Sequence, residues 1–122
     1  MKVKIDTKEK FYIITPEVPV LSANMTEELK QMLLPYLEKE IKNVILKLQE
    51  VNEVDKGSAK IIFDLQKAFY DKNASFVICK MHRKVEEIFE QLELLDALNI
   101  TPTESEAWDI VQMEEIEREF LD

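Results

Sequence analysis

Few residues in this chain of 122 have side chains suited to catalysis. His82 is the only histidine and lies in the segment KMHRKVEE, where a helix is predicted to begin, so we interpret it as a surface or capping residue rather than a general base. Cys79 is the only cysteine, and its apolar segment SFVICK is typical of a buried side chain. Carboxylates are abundant, but no pair stands in an apolar setting of the kind found in acid–base sites. The sequence therefore predicts neither catalytic residues nor a metal site, and it does not indicate an enzyme.

The segment VDKGSAK, residues 54–60, contains Gly57, the only glycine in the chain. A predicted strand ends here and a helix begins, so the free N–H groups and the positive end of the helix dipole face the turn. A phosphorylated serine in this turn would be held by those amides and would carry about −1.5 to −2 charges at pH 7. The location suits a regulatory switch. With one glycine, the chain has no glycine-rich cradle for a nucleotide phosphate, and no cofactor is predicted.

Apolar periodicity predicts strands that alternate with helices. The alternation of Val3 and Ile5 with charged residues, and the β-branched and aromatic run 11–15, predict two neighbouring strands. The nearly continuous apolar runs 43–48 and 75–79 are typical of strands covered on both faces. Strands that are connected through helices favour a parallel or mixed sheet.

Capping residues and a proline predict where helices begin and end. Asn24 is the predicted N-cap of the first helix, with Glu27 completing a capping box, and Pro35 must kink or end that helix. The segment TESE, residues 103–106, is another capping box and begins the last helix, after a short strand predicted at 97–100. The buried stripe predicted for this last helix contains Ala107, Ile110, Met113, Ile116 and Phe120.

Negative charge is concentrated in the last part of the sequence. The formal net charge is −9, and residues 100–122 contain eight acidic residues and one base, Arg118. An acidic chain repels phosphate backbones, so no nucleic-acid partner is predicted. We interpret Trp108 as a core residue and the acidic side of its helix as a solvated face. A partner helix against Trp108 and a basic partner for the acidic side are the alternatives.

No segment has the length or composition of a membrane anchor. No apolar run approaches the roughly 20 residues that cross a bilayer, and no polybasic patch is present. The N-terminal sequence MKVKID lacks the apolar region of a signal peptide. We therefore expect a soluble, cytoplasmic protein without membrane insertion, folded as a single domain over residues 1–122.

Three segments resemble the STAS domain family, named for sulfate transporters and anti-sigma factor antagonists. IKNVILKLQEVNEVD resembles the central strand of the family and the loop after it, with Asp55 at the Asp that opens the Asp-Ser-Ser-Gly-Leu motif. SFVICKMHRKVEEIFEQLEL resembles the next strand and helix, and TPTESEAW resembles the closing Thr-x-x-x-Ala segment. The resemblance implies a STAS-like α/β layer sandwich, with a mixed sheet of four to five strands and helices packed mainly on one side.

The sequence departs from the family pattern in the loop that carries the phosphorylated serine. Lys56 and Gly57 stand at the two serine positions and Ser58 at the glycine position, while Ser22 stands where the family has an Asp before the first helix. In one interpretation, the loop has shifted by one residue and Ser58 is the phosphoacceptor. In the other, which we favour, the switch is lost and binding is constitutive. Gly57 would then either keep a tight turn into the helix or relieve local crowding.

The resemblance implies a bacterial, non-catalytic regulator of transcription that acts by binding a protein. The expected partner is an anti-sigma factor that is also a serine kinase. The partner-binding surface carried over by position contains Ser22, Asn24, Asp55, Lys56, Gly57 and Ser58. The alternative is a degenerate STAS adaptor, a subunit of a signalling scaffold or of a transporter complex.

Overall fold

A computed structural model, which describes residues 1–121, shows a mixed β-sheet with helices on both faces. The strands are β1 (Val3–Thr7), β2 (Phe11–Pro16), β3 (Val20–Leu21), β4 (Asn43–Lys47), β5 (Glu53–Val54), β6 (Phe76–Cys79) and β7 (Ile100–Thr101). The helices are α1 (Ala23–Leu33), α2 (Lys56–Asp71), α3 (Arg83–Gln91) and α4 (Glu104–Leu121), and two 3₁₀ turns span Leu34–Glu38 and Leu95–Ala97.

The main sheet has the strand order β1-β2-β4-β6-β7. β1 and β2 are antiparallel neighbours, with Ile5 opposite Ile14, and β2, β4, β6 and β7 run parallel to one another. Each parallel step crosses over through a helix, because parallel neighbours need a long connection. β3 and β5 pair with each other, also in parallel, outside this sheet. The two neighbouring N-terminal strands and the mixed sheet are confirmed.

The main sheet separates two apolar cores because side chains alternate along each strand. On one face, Val44 and Leu46 of β4 belong to a core that α1, α2 and α3 cover. On the other face, Ile45 of β4 and Val77 of β6 pack against α4. The prediction that these strands are covered on both faces is confirmed, and three of the four described helices pack on one side.

Pro35 ends the first helix, as its position predicts. α1 ends at Leu33, and Pro35 lies in the 3₁₀ turn that follows. Proline has no N–H to donate to the preceding turn, and its ring clashes with the carbonyl four residues before it. The chain then turns so that Tyr36 packs edge-on against Tyr12, with 4.8 Å between the ring centroids.

The last strand is shorter than predicted. β7 contains Ile100 and Thr101, whereas Leu95–Ala97 forms a 3₁₀ turn. The side chain of Gln66 in α2 bonds to the backbone between them, since its amide donates to the carbonyl of Ala97 at 2.8 Å and its oxygen accepts from the N–H of Asn99 at 2.8 Å. These backbone groups are therefore satisfied by a helix rather than by a neighbouring strand.

The buried stripe predicted for α4 is wrong over its second half. Ala107 is buried, but Met113, Ile116 and Phe120 are 54%, 53% and 85% exposed. A step of three residues turns a helix by about 300°, so repeated steps of three drift by about 60° each from the starting face. Three such steps, from Ala107 to Ile116, end on the opposite side. The two buried residues of α4 are Ala107 and Val111, which are four apart.

Polar contacts fasten α4 to the sheet beyond its two buried apolar residues. Ser75 donates a hydrogen bond to Glu114 at 2.6 Å and accepts one from Arg118 at 2.9 Å. Glu114 also accepts from the hydroxyl of Tyr70, and Asn43 bonds to Glu115 at 2.6 Å, as well as to the N–H of Ser75. Burial, and then the contact with Glu114, raise the pKa of Tyr70, so this hydroxyl stays protonated. We call this network the α4 clamp; its members are Asn43, Tyr70, Ser75, Glu114, Glu115 and Arg118.

Three residues other than glycine adopt a left-handed backbone: Asn73 at φ 59°, Lys80 at φ 59° and Glu93 at φ 58°. Asn73 and Glu93 follow the ends of α2 and α3. In each case the next N–H donates back to a carbonyl of the helix, that of Phe69 or that of Phe89. This is a common helix end that usually uses glycine. The single glycine of the chain therefore serves another purpose.

Candidate partner-binding site

The small β3-β5 sheet brings the starts of α1 and α2 side by side. β3 leads directly into α1 and β5 directly into α2. Because these strands are parallel, with Leu21 opposite Val54, the polar residues that follow them, Ser22 and Asp55, lie at the same edge. All six residues of the predicted partner-binding surface belong to these two helix starts, which we call the helix junction.

Asp55 caps both helices of the junction. One carboxylate oxygen accepts a hydrogen bond from the N–H of Ser58 at 2.7 Å, and the other accepts from the N–H of Ala23 at 3.0 Å. Such bonds favour the ionised carboxylate, and the N–H of Ser58 above all holds the pKa of Asp55 below its usual value. Asp55 is nevertheless exposed to solvent. One exposed side chain therefore ties together two helices that are distant in sequence.

Ser22, not Asn24, is the N-cap of α1. The backbone of Ser22 is extended, and its hydroxyl accepts a hydrogen bond from the N–H of Met25 at 3.3 Å. Asn24 is the second residue of the helix and is exposed. The predicted cap at Asn24 is wrong because Ser22 offers the same capping chemistry two residues earlier, where the chain leaves β3.

The hydroxyl of Ser58 is buried inside the junction. Ser58 is 0% exposed, and its Oγ donates to the carbonyl oxygen of Leu21 at 2.7 Å. The hydroxyl oxygen of Thr26 lies 2.8 Å from Ser58 Oγ and 2.7 Å from the carbonyl oxygen of Ser22, and it donates its single proton to one of them at a time. Ser58 thus belongs to a closed network of uncharged groups beneath the helix starts.

Gly57 allows α1 and α2 to touch. Its φ is not in the left-handed region, so the tight turn proposed for it does not require glycine. A Cβ at this position would lie 3.0 Å from the Cβ of Ala23 and 3.3 Å from Oδ1 of Asp55. Favourable carbon–carbon contacts lie at about 3.5–4.0 Å. The other interpretation, that Gly57 relieves local crowding, therefore describes the structure.

Asn24 and Lys56 extend into solvent from the junction. Both are exposed, and each lies in the first turn of its helix. An open groove of about 380 Å³ begins at the junction and runs between the β3-β5 pair and α3. Its lining includes Leu21, Ser22, Val54, Asp55, Lys84 and Ile88. The junction therefore combines exposed polar tips, a fixed backbone frame and an adjacent groove with apolar and charged walls.

Two parts of this site were missed by sequence reasoning. Thr26 is 0% exposed and contacts Ser58 across 32 residues of sequence. Nothing around Thr26 distinguishes it from an ordinary helix residue. Lys84 and Glu87 of α3 form part of the groove, although their spacing indicates only an exposed helix face. Both omissions have the same cause, since each contact joins elements that the chain brings together only when folded.

Neither His82 nor Cys79 has the surroundings of a catalytic group. His82 occupies the N-cap position of α3, and its Nε2 lies 2.6 Å from the carbonyl oxygen of Gln49. Burial raises the pKa of Cys79 to about 11, so its thiol stays protonated at neutral pH. Within residues 1–121, no cluster of His, Cys, Asp or Glu could hold a metal ion, and no helix is both long and apolar enough to span a membrane.

Most of the chain matches one protein-family model, that of the STAS domain, over residues 2–107. The chain belongs to the STAS domain family. The matched region includes both helix starts of the junction and ends in the first turn of α4, so most of α4 lies beyond it. A comparison with curated proteins found no match.

Solved STAS structures have the same fold. A proposed anti-sigma factor antagonist of Thermotoga maritima is 22% identical, with a TM-score of 0.81 over 90% of this chain and 94% of that one. SpoIIAA of Bacillus, in its phosphorylated form, is 12% identical, with a TM-score of 0.68 over 90% and 99%. The murine anion transporter Solute Carrier 26 family member A9 is 17% identical, with a TM-score of 0.69 over 85% of this chain and 18% of the transporter. At these identities the comparisons establish the fold, and they confirm the STAS-like α/β architecture.

Proposed function

We propose that this STAS domain is a non-catalytic regulator of the anti-sigma factor antagonist kind, which binds a protein partner through the helix junction. The family, the fold and the description of the Thermotoga and SpoIIAA proteins as antagonists support this proposal. The site consists of Ser22, Asn24, Asp55, Lys56, Gly57 and Ser58, of which Ser58 lies buried beneath the others.

These six residues have two different roles in the proposal. The exposed side chains of Asn24 and Lys56 contact the partner. The other four hold the frame, since Asp55 and Ser22 cap the helices and Gly57 lets them approach. A surface that is already ordered before binding loses less conformational entropy when the partner docks. The junction is therefore suited to binding without rearrangement.

We further propose that phosphorylation of Ser58 does not control this binding. The observation that carries this proposal is the burial of the Ser58 hydroxyl, which is bonded to Leu21 and lies against Thr26. A phosphate on this oxygen would place about two negative charges against uncharged groups and near the carboxylate of Asp55, where both desolvation and repulsion are costly. A kinase could reach the hydroxyl only after α1 and α2 separated. Binding is therefore expected to be constitutive.

The surface is tested by capturing partners from extract of the source organism and then titrating the purified partner. Lys56→Glu reverses a charge in the proposed surface and should weaken binding by about tenfold. Lys67→Glu is the matched control, since it makes the same charge change on an exposed position of the same helix. Equal affinities for the two variants would contradict the proposed surface.

The absence of a switch is tested by incubating the folded protein with ATP and the same extract, followed by intact mass measurement and peptide mapping. We expect no phosphate on Ser58. Substantial phosphate at this residue, lost in Ser58→Ala, would overturn the constitutive proposal and leave the binding proposal intact.

The adaptor alternative rests on the transporter comparison. The same fold accounts for 18% of the murine anion transporter, so it occurs there as part of a larger chain. Capture of transporter or scaffold subunits, with no anti-sigma factor, would favour the adaptor over the antagonist if Lys56→Glu weakened that capture.

A further inference from the structure

The outer side of α4 carries an apolar stripe that the fold does not cover. Met113, Ile116 and Phe120 are all more than half exposed. A helix turns by about 100° per residue, so these three lie within about 60° of one another around the axis. They are centred on the side opposite Ala107 and Val111, which face the sheet. We call these three residues the outer stripe.

The outer stripe is not needed to hold α4 in place. Ala107 and Val111, with Trp108 and Ile110 packed beside them, supply the apolar contact with the sheet. Hydrogen bonds among Ser75, Glu114 and Arg118 also hold the helix. Adjacent exposed apolar residues on a helix carry a solvation cost, and such patches usually mark a surface that another molecule covers. The stripe also lies outside residues 2–107, the region that matches the STAS family model.

Carboxylates surround the outer stripe. Asp109 continues it toward the start of the helix, while Glu117 and Glu119 border it on its two sides, and all three are exposed. Arg118 is the one base in the sequence of α4, and it is directed to Ser75 and Glu115 rather than to the stripe. The outer side of α4 is thus an apolar strip between negative edges.

This charge pattern selects among the possible occupants. Two copies of α4 placed face to face would bring their carboxylate edges together, and like charges at an interface disfavour pairing. A helix with apolar residues at the same spacing and with Lys or Arg beside them would bury the strip and neutralise both edges. We infer that the outer stripe of α4 is a second docking surface, which binds a basic amphipathic helix of a protein partner. This surface lies on the opposite face of the main sheet from the helices of the junction.

The inference is tested with a fluorescent synthetic helix that has leucine at positions i, i+3 and i+7 and lysine on both sides. Binding to the full chain is followed by anisotropy. Ile116→Ser should weaken binding about tenfold, because it removes a large apolar contact. Ile5→Ser is the matched control, since Ile5 is 44% exposed on β1 against 53% for Ile116, and it should leave the affinity unchanged. Circular dichroism checks that both variants stay folded.

Three results would overturn the inference. One is equal affinity of the Ile116→Ser and Ile5→Ser variants. Another is equal binding of a helix in which glutamate replaces lysine. The third is a dimer of the unmodified chain in sedimentation that Ile116→Ser disperses, which would assign the stripe to self-association. Lys56→Glu should not change the affinity for the lysine helix, so failure here is distinguishable from failure of the junction proposal.

Discussion

Two fully buried serines lie near opposite ends of α2, and they are bonded in different ways. Ser58, in the first turn, is bonded to the carbonyl of Leu21 and lies against the hydroxyl of Thr26. Ser75, which follows the helix, is bonded to Glu114 and Arg118 of α4. Both are 0% exposed.

The difference shows how one residue type is adapted to two tasks. At Ser58 the hydroxyl is bonded to uncharged groups, and the one charged neighbour, Asp55, is negative and accepts from the N–H of Ser58. A negative charge added at this hydroxyl would therefore have no cationic partner. At Ser75 the hydroxyl lies between two charged side chains, and it anchors the part of α4 that follows the buried Val111. Burial alone does not distinguish the two sites; the charge of the partners does.

Adding a carboxylate should break the junction more severely than any other change. Ser58→Asp should lower the free energy of unfolding by more than about 3 kcal/mol, because a charge would be buried without a cationic partner and near the carboxylate of Asp55. Urea unfolding followed by tryptophan fluorescence measures the loss. Ser22→Asp is the control, since Asp is an equally good N-cap and should cost less than about 1 kcal/mol. A stable Ser58→Asp variant would show that the junction opens easily, and it would remove the argument against phosphorylation.

Removing each hydroxyl compares the two networks directly. Ser75→Ala should cost about 1.5–3 kcal/mol, since it removes hydrogen bonds to charged groups, whereas Ser58→Ala should cost about 0.5–1.5 kcal/mol. The same unfolding experiment on both variants gives the ranking. A larger loss of stability for Ser58→Ala than for Ser75→Ala would contradict the stronger role of the charged partners at Ser75.

Asp55 connects stability at the junction to pH. Asp55→Ala removes the caps of two helices and should cost about 1–2 kcal/mol at pH 7. The pKa of Asp55 is lowered on folding, so its contribution is complete above the pKa of the unfolded chain, about 3.9, and is lost as the pH falls through the lower folded value. The difference in the free energy of unfolding between wild type and Asp55→Ala, measured by urea unfolding at a series of pH values, should therefore become smaller only below about pH 4.

Asp55→Asn separates the two caps of the junction. Asn has one acceptor oxygen, so it can keep the bond to Ser58 or the bond to Ala23 but not both. Its stability at pH 7 should lie between those of wild type and Asp55→Ala. A loss equal to that of Asp55→Ala would mean that the charge, rather than the acceptor geometry, is what matters.

The contact between the helix starts gives the smallest expected effect. Gly57→Ala should have a net cost of about 1 kcal/mol, since crowding against Ala23 exceeds the gain in helix propensity. Ala23→Gly removes the opposing Cβ, so the double variant should be more stable than the two single losses imply. If the losses in free energy of unfolding were additive, there would be no steric contact between residues 23 and 57 in the single variant.

Local patterns predicted the elements well and the contacts between them poorly. The buried runs 43–48 and 75–79 identified β4 and β6, because a strand covered on both faces leaves an unmistakable apolar run. Thr103 and Glu106 also form the predicted capping contact at the start of α4. Each of these patterns lies within a few consecutive residues, so the sequence alone is enough to recognise it.

The predictions that were wrong or incomplete depend on helix geometry over several turns or on contacts between segments that are distant in sequence. The predicted buried stripe of α4 was wrong because each step of three residues moves about 60° around the helix. A single step stays near the starting face, but three steps reach the opposite side. The burial of Ser58 depends on Leu21, 37 residues away, and no local pattern carries that information. The family resemblance placed the six residues of the site together. Which of them could contact a partner and which hold the two helix starts in place could be learned only from the folded chain.

The separation of the two cores by the main sheet has a consequence for how the protein opens. α4 buries two residues on its face of the sheet, whereas α1, α2 and α3 share the larger core on the other face. Partial unfolding should therefore release α4 as a unit while β4 and β6 stay paired, since the units that open first are those with the fewest buried contacts. In native-state hydrogen exchange, the amides of α4 should exchange together and earlier than those of α2. A partner helix bound to the outer stripe should slow the exchange of the α4 amides. Binding on this face of the sheet could therefore be measured from the exchange rates of one helix.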